Sequence, residues 1–149
     1  MLAEHPQPAP LIAFEITEGM LLNAEPQVVS RLDRIREAGI EVALDDFGTG
    51  YSSLAYLKKF RIDYLKIDQS FIRNLECDTS DLVLTEAMIA MAHKLGLKVI
   101  TEGVETPGQK QILVQAGCDY AQGYLFAKPL PPQEFSELLH QAERSKITG

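Results

Sequence analysis

The stretch Val42-Ala43-Leu44-Asp45-Asp46-Phe47-Gly48-Thr49-Gly50 decides how this chain is read. Val42 to Leu44 is a short apolar run with the character of a buried strand. It ends in two adjacent carboxylates, and a loop with two glycines and a threonine follows. Paired like charges taken out of water repel strongly, so Asp45 and Asp46 at a strand end need compensation. One or two divalent cations are the usual means. The blander reading is that Asp45 faces solvent while Asp46 caps the next helix or closes an Asx-turn. The other strand ends bear on the choice.

Upstream, Leu11-Ile12-Ala13-Phe14 reads as a strand ending in Glu15-Ile16-Thr17-Glu18. Pro26 suits the first turn of a helix that carries Val28, Leu32 and Ile35 and closes at Gly39. Downstream, Ser52 and Ser53 suit a helix start, with Leu54, Leu57 and Phe60 as its buried stripe. Tyr64 to Asp68 is a third strand with charged groups near its end. A loop around residues 74–79 leads to the longest helix, where Leu84, Met88, Met91 and Leu95 repeat at helical spacing up to Gly96. The methionines are core packing, not a cofactor box. Leu97 to Thr101 is the fourth strand, ending in Glu102-Gly103-Val104-Glu105. Thr106-Pro107 starts a helix in N-cap and N1 order, and Gly117 ends it. Asp119 to Phe126 holds the fifth strand. A last helix over about 133–144 buries Phe135, Leu138, Leu139 and Ala142, followed by a frayed tail at 145–149.

Strand and helix thus alternate five times, which makes the strands parallel, in a barrel or in an open doubly wound sheet. Glu15, Asp45, Lys66, Glu102 and Gln122 each fall at or near the C-terminal end of a different strand. A barrel builds its active site in that way, from several strand ends around one rim. The sequence contains neither GxGxxG nor GxxxxGK[ST], so nucleotide-binding open sheets lose their main support. The expected fold is α/β, a partial TIM-like (β/α) barrel. A complete barrel needs eight units and about 250 residues.

Composition narrows the function. The 149 residues make one domain or part of one, with 46% hydrophobic residues and no apolar run long enough to span a membrane. A net charge of −7 argues against a basic nucleic-acid groove. Cys77 and Cys118 form no CxxC and are too few for a disulfide scaffold, which suits a reducing cytoplasm. No basic-then-apolar leader opens the chain.

The set Glu15, Asp45, Asp46 and Glu102 offers only oxygen ligands, which suits Mg²⁺ or Mn²⁺; no well-placed His or Cys points to zinc. A bridging carboxylate such as Asp45 can hold two such ions about 3.5–4 Å apart with an activated water between them. In-line attack on a phosphodiester is the reaction this serves. Lys66 would offset charge on the phosphate or the nucleophile, and Glu102 is also a candidate base. A plain ion pair between Lys66 and one carboxylate is the structural alternative, compatible with catalysis. His5, His93 and His140 read as surface or packing residues, Glu105 as a brace of its loop, and Cys118 as structural.

Phe14-Glu15-Ile16-Thr17-Glu18, Asp45 through Leu54 (DDFGTGYSSL), Lys66-Ile67-Asp68, Glu102-Gly103-Val104-Glu105-Thr106 and Gln122-Gly123-Tyr124 together resemble the EAL-domain family. These are bacterial phosphodiesterases that linearise cyclic di-GMP to pGpG. The resemblance implies a modified TIM barrel with one or two Mg²⁺ or Mn²⁺ at the rim. It implies Glu15 and Asp45 as ligands of a first metal, and Asp45, Asp46 and Glu102 as ligands of a second. Lys66 is implied to position water or phosphate, and Asp68 and Gln122 to lie near the substrate. Glu18 is similar to the glutamate that holds the Asp-Asp loop in its active shape. In many members that loop borders a dimerisation surface.

The departures lie at the front. The Glu-Ala-Leu that names the family is absent, as are the arginine that follows it and the asparagine of the strand before Glu15. Residues 1–10 read as the tail of a preceding helix plus a proline-rich linker, because Pro6, Pro8 and Pro10 forbid helix continuation. The expectation is therefore the C-terminal part of an EAL domain over residues 11–144, with little or no activity alone. Exposed sheet edges favour a homo-oligomer. Further expectations are cyclic di-GMP as the ligand, no nucleic acid, no membrane contact by this segment, and a cytoplasmic location, with any anchor of the parent in absent domains. The alternative is a degenerate, non-catalytic EAL module acting as a cyclic di-GMP receptor or protein-interaction platform. A metal-dependent barrel acting on another phosphate or carboxylate is a third reading.

Overall fold

The computed structural model describes residues 13–22, 26–50, 57 and 60–147. The expectations for residues 1–12 and for the helix start at Ser52 to Leu54 lie outside these.

Five strands, β1 (Ala13–Thr17), β2 (Glu41–Phe47), β3 (Tyr64–Ile67), β4 (Lys98–Thr101) and β5 (Tyr120–Ala121), form one sheet. All pairings are parallel, and the order β1-β2-β3-β4-β5 follows the chain. A doubly wound sheet reverses its order at a switch point. No reversal occurs among these strands, so the sheet is part of a singly wound barrel. The described helices are α1 (Glu18–Leu22), α2 (Pro26–Glu37), α3 (Gln69–Ile72), α4 (Thr79–Lys94), α5 (Pro107–Gln115) and α6 (Pro132–Ile147).

Strand side chains alternate between faces, and burial separates the two here. Val42, Leu44, Leu65, Ile67, Val99 and Thr101 are all at most 1% exposed. The five apolar ones pack in one cluster with Leu32, Ile72, Ile89, Ala92 and Leu113 from the helices. Each large apolar side chain buried so completely contributes about 1.5–3 kcal/mol of transfer free energy. The opposite face carries Glu15, Ala43, Asp45 and Lys66 by the same alternation. The helices therefore hold one side of the sheet while the chemistry lies on the other.

Two carboxylates just ahead of strands tie this frame together. Asp63 accepts from the Val42 backbone N–H at 2.9 Å and pairs with Arg36 of α2 at 2.5 Å. Asp119 accepts from the Val99 N–H at 2.8 Å and meets His93 of α4 at 2.8 Å. Partial burial alone would raise the Asp119 carboxyl, but the His93 and Val99 contacts outweigh it and hold it below the usual range.

Three sequence expectations are corrected. The α4 stripe is partly rotated: Leu84 and Leu95 are exposed, Met88 and Met91 pack half-buried against the core as expected, and Thr85, Ile89 and Ala92 are buried. Helix α4 is apolar on most sides, so two overlapping stripes satisfy the 3.6-residue period, and packing on the sheet selects the one through Ile89. In α6, Phe135 and Leu138 are exposed, and the helix runs on to Ile147. The fifth strand has only two residues. Just beyond it Gly123, at φ 155°, lies so close to the Val104 backbone that any side chain would collide with it. The chain continues instead through Val104 N–H to Gln122 C=O at 3.0 Å and Leu125 N–H to Val104 C=O at 3.0 Å.

Candidate active site

Strand β2 does not end before the aspartate pair; it runs through it. Leu44 pairs with Leu65 and Phe47 with Ile67, so Asp45 and Asp46 together face the single residue Lys66. This is a β-bulge, a device that re-aims side chains. Asp46 takes φ 56°, the only positive φ at a non-glycine among the described residues. Aspartate tolerates this left-handed conformation better than most residues. The Asp46 carbonyl then accepts from Thr49 twice, from N–H at 3.3 Å and Oγ1 at 2.9 Å. Gly48, at φ 95°, lets the loop lie against the Phe71 ring; a Cβ there would come 2.7 Å from it.

Neighbouring residues of a regular strand point to opposite faces. The bulge removes that separation. Asp45, Asp46 and Glu102 each present a carboxylate oxygen, all within 4.8 Å of one another. An all-oxygen donor set of this size fits a hard divalent cation.

Lys66 is the cation already in place. Its Nζ lies 2.7 Å from Glu102, 2.9 Å from Glu15 and 3.0 Å from Asp45, with the side chain only 5% exposed. Burial on its own would lower the lysine pKa, but the carboxylates of Glu102, Glu15 and Asp45 close around it override this and hold the ammonium well above its usual range. Asp45 Oδ1 is covered, and no well-aligned hydrogen bond reaches it even though Lys66 stands 3.0 Å away. Three carboxylates share one ammonium and Asp46 stands beside two of them, an excess of negative charge that a divalent ion would reduce.

Of the remaining predicted residues, Gln122 touches this group directly. Gln122 donates through Nε2 to Glu102 Oε1 at 2.8 Å, the same oxygen that meets Lys66. Glu18, buried at the start of α1, has its carboxylate 3.6 Å from where a side chain on Gly50 would begin, so it stands beside the Asp-Asp loop. Asp68 caps α3, accepting from the Ser70 N–H at 2.9 Å. Partial burial would raise its carboxyl, but the Ser70 and Gln69 N–H groups and the Arg73 charge together outweigh it and lower it. Sequence reasoning missed the bulge, and it missed the cap of α3 because a one-turn helix leaves no periodic pattern. It also missed the pocket of about 530 Å³ that opens beside Glu102 and Gln122, walled by Tyr124, Lys128, Leu130 and Phe135. Lys128 Nζ lies 5.6 Å from the Tyr124 ring centre, a cation beside an exposed aromatic face.

Comparison with known proteins gives one family match, one curated relative and two solved structures. The family model described as EAL domain matches residues 1–129. Cyclic di-GMP phosphodiesterase NbdA of Pseudomonas aeruginosa is 47% identical over 128 residues, which is 86% of this chain and 16% of that protein. The PaMucR phosphodiesterase in complex with c-di-GMP superposes with a TM-score of 0.83 at 36% identity, over 90% of this chain and 54% of that one. The manganese and cyclic di-GMP complex of Klebsiella pneumoniae BlrP1 gives a TM-score of 0.71 at 33% identity, over 77% of this chain and 29% of that one. The chain spans 16% to 18% of the length of three of the curated relatives it matches.

Proposed function

Because the chain belongs to the EAL domain family, we propose that its acidic rim is part of a metal-dependent cyclic di-GMP phosphodiesterase site. One observation carries this: Asp45, Asp46 and Glu102 converge within 4.8 Å beside the buried Lys66. In this reading Glu15 and Asp45 hold a first Mg²⁺ or Mn²⁺, and Asp45, Asp46 and Glu102 hold a second. Bound divalent ions would supply Lewis-acid polarisation of the phosphate and a water of lowered pKa.

The side chains do the rest. Lys66 presents its ammonium to a phosphate oxygen or to the attacking water. Glu102, held by Gln122 and Lys66, keeps one orientation and stands as the candidate base. Asp68 and Gln122 contact substrate from the ends of β3 and β5, and Glu18 supports the bulged loop. The pocket walled by Tyr124 and Lys128 offers a ring face and a positive charge, which suits an anionic, aromatic ligand such as a nucleotide.

The test is hydrolysis of cyclic di-GMP with Mn²⁺, comparing this chain with a form extended upstream through a Glu-Ala-Leu strand. Turnover in the extended form only is the expected result. Turnover in neither form would favour the non-catalytic receptor reading. Turnover by the 149-residue chain alone, lost in Asp45→Asn, would show that the residues present already suffice.

Self-association belongs to the same proposal. β1 and β5 each have one strand neighbour among the described residues, and Phe14 on β1 is 43% exposed. Unpaired strand edges template pairing with another chain. Sedimentation at about 100 µM should show dimers or larger species, and a monodisperse monomer would refute this. No described helix is long and apolar enough to cross a membrane. With residues 11–144 as the EAL segment, a cytoplasmic site of action completes the proposal.

A further inference from the structure

Gln109 is 5% exposed at the third position of α5, and its side-chain amide makes three bonds. Its Oε1 accepts from the Glu105 N–H at 2.8 Å and the Thr106 N–H at 3.1 Å. Its Nε2 donates to the Ile72 carbonyl at 3.0 Å. Its own N–H donates to Thr106 Oγ1 at 3.1 Å, which completes a capping box.

A capping box needs only the acceptor half of this amide, and glutamate serves as well as glutamine there. The donor half goes elsewhere, to the last residue of α3. That short helix follows Lys66 and Asp68 on the β3 side, while Glu105 and Thr106 follow Glu102 on the β4 side. One buried amide thus joins the two loops whose strands carry Lys66 and Glu102, the pair that meets at 2.7 Å. The loops also touch directly: Gly103, at φ 71°, lies so close to Gln69 that a Cβ would come 2.6 Å from the Gln69 Cβ. Toward β3, backbone pairing fixes β4 only as far as Glu102 N–H to Ile67 C=O at 3.1 Å, while the bonds of Val104 to Gln122 and Leu125 hold it on the β5 side. Beyond that point, Gln109 supplies a tie between the loops that is out of reach of solvent.

We propose that Gln109 is a positioning residue: through Ile72, Glu105 and Thr106 it sets where Glu102 stands relative to Lys66. The proposal rests on the phosphodiesterase reading above and names a residue that carries it without touching substrate or metal. Misplacing a catalytic group by about 1 Å costs up to 10²-fold in rate, and outer partners of metal ligands typically contribute about 10–100-fold to affinity.

The experiment uses the upstream-extended form and the variants Gln109→Glu and Gln109→Met. Gln109→Glu keeps the cap and loses the donor to Ile72; Gln109→Met loses both. The expected result is that Gln109→Glu lowers kcat for cyclic di-GMP by about tenfold or more while KM stays within about twofold. Its thermal midpoint should remain within a few degrees of the parent, and Gln109→Met should fall further in both. Wild-type kcat in Gln109→Glu would overturn the proposal, since capping alone would then explain the residue. If the parent hydrolyses nothing, the phosphodiesterase reading fails by itself, and Mn²⁺ affinity becomes the readout. A tenfold or greater weakening in Gln109→Glu then supports the positioning role, and an unchanged value overturns it. A parent with neither hydrolysis nor Mn²⁺ binding overturns both.

Discussion

Replacing Lys66 with methionine is expected to abolish cyclic di-GMP hydrolysis in the extended form and to destabilise the metal-free fold by about 3 kcal/mol or more. Methionine has nearly the length of lysine, so the change removes charge rather than volume. The Lys66 side chain is 5% exposed, and its ammonium lies within 3.0 Å of Glu15, Asp45 and Glu102. Breaking a buried ionic cluster by deleting one partner leaves the others unpaired, and the penalty far exceeds that of losing a surface ion pair. Loss of a preorganised donor at a phosphoryl centre costs about 10²–10³ in rate on its own. A second signature separates this from simple misfolding. With the ammonium gone, Mn²⁺ becomes the main available counter-charge, so it should raise the thermal midpoint more in Lys66→Met than in the parent. Urea unfolding reads the stability loss, and thermal unfolding with and without Mn²⁺ reads the second signature. A variant as stable as the parent, with the same response to Mn²⁺, would show that Lys66 is not the counter-charge of the rim.

The second large effect is expected at Asp46, where two substitutions separate two roles. Asp46→Asn keeps the side chain's size and its tolerance for φ 56°, so the bulge should persist. It removes one of the three carboxylates that come within 4.8 Å of one another. Mn²⁺ affinity should then drop by at least about 100-fold, beyond the range of outer-partner changes, with stability within about 1 kcal/mol of the parent. Asp46→Val forces a β-branched residue into the left-handed region at about 1–3 kcal/mol and loses the carboxylate as well. Titration of Mn²⁺ alongside chemical unfolding reads both quantities. An Asn variant that binds Mn²⁺ as tightly as the parent would remove Asp46 from the ligand set.

The sequence made the strands and their charged ends legible because those signals are local. A short apolar run before Asp45, or Leu97 to Thr101 before Glu102, needs no partner to be recognised. Singly wound order could not be read from one strand at a time; it needed the register between β2, β3 and β4. The bulge was hidden for a related reason. Asp45-Asp46 read as the residues after a strand, whereas the pairing of Phe47 with Ile67 shows the strand resuming beyond them. In α4, Leu84 and Ile89 belong to competing stripes of equal periodicity, and only the sheet beneath decides between them. Gln109 was half visible: Thr106-x-x-Gln109 spells a capping box. Its second bond, to Ile72, spans 37 residues and leaves no mark in the local pattern.

The two aspartate ties described for the frame, Asp63 and Asp119, point to an internal repeat. Arg36, Val42, Asp45, Asp63, Tyr64 and Lys66 recur in order as His93, Val99, Glu102, Asp119, Tyr120 and Gln122, with identical spacing inside each half of the unit. Each copy contributes an acid and a nitrogen donor that binds it: Lys66 to Asp45 at 3.0 Å, Gln122 to Glu102 at 2.8 Å. The rim is therefore one module used twice, with the donor charged in the first copy and neutral in the second. The copies also differ in Arg36 against His93 and Asp45 against Glu102, and the bulge brings an extra acid, Asp46, into the first.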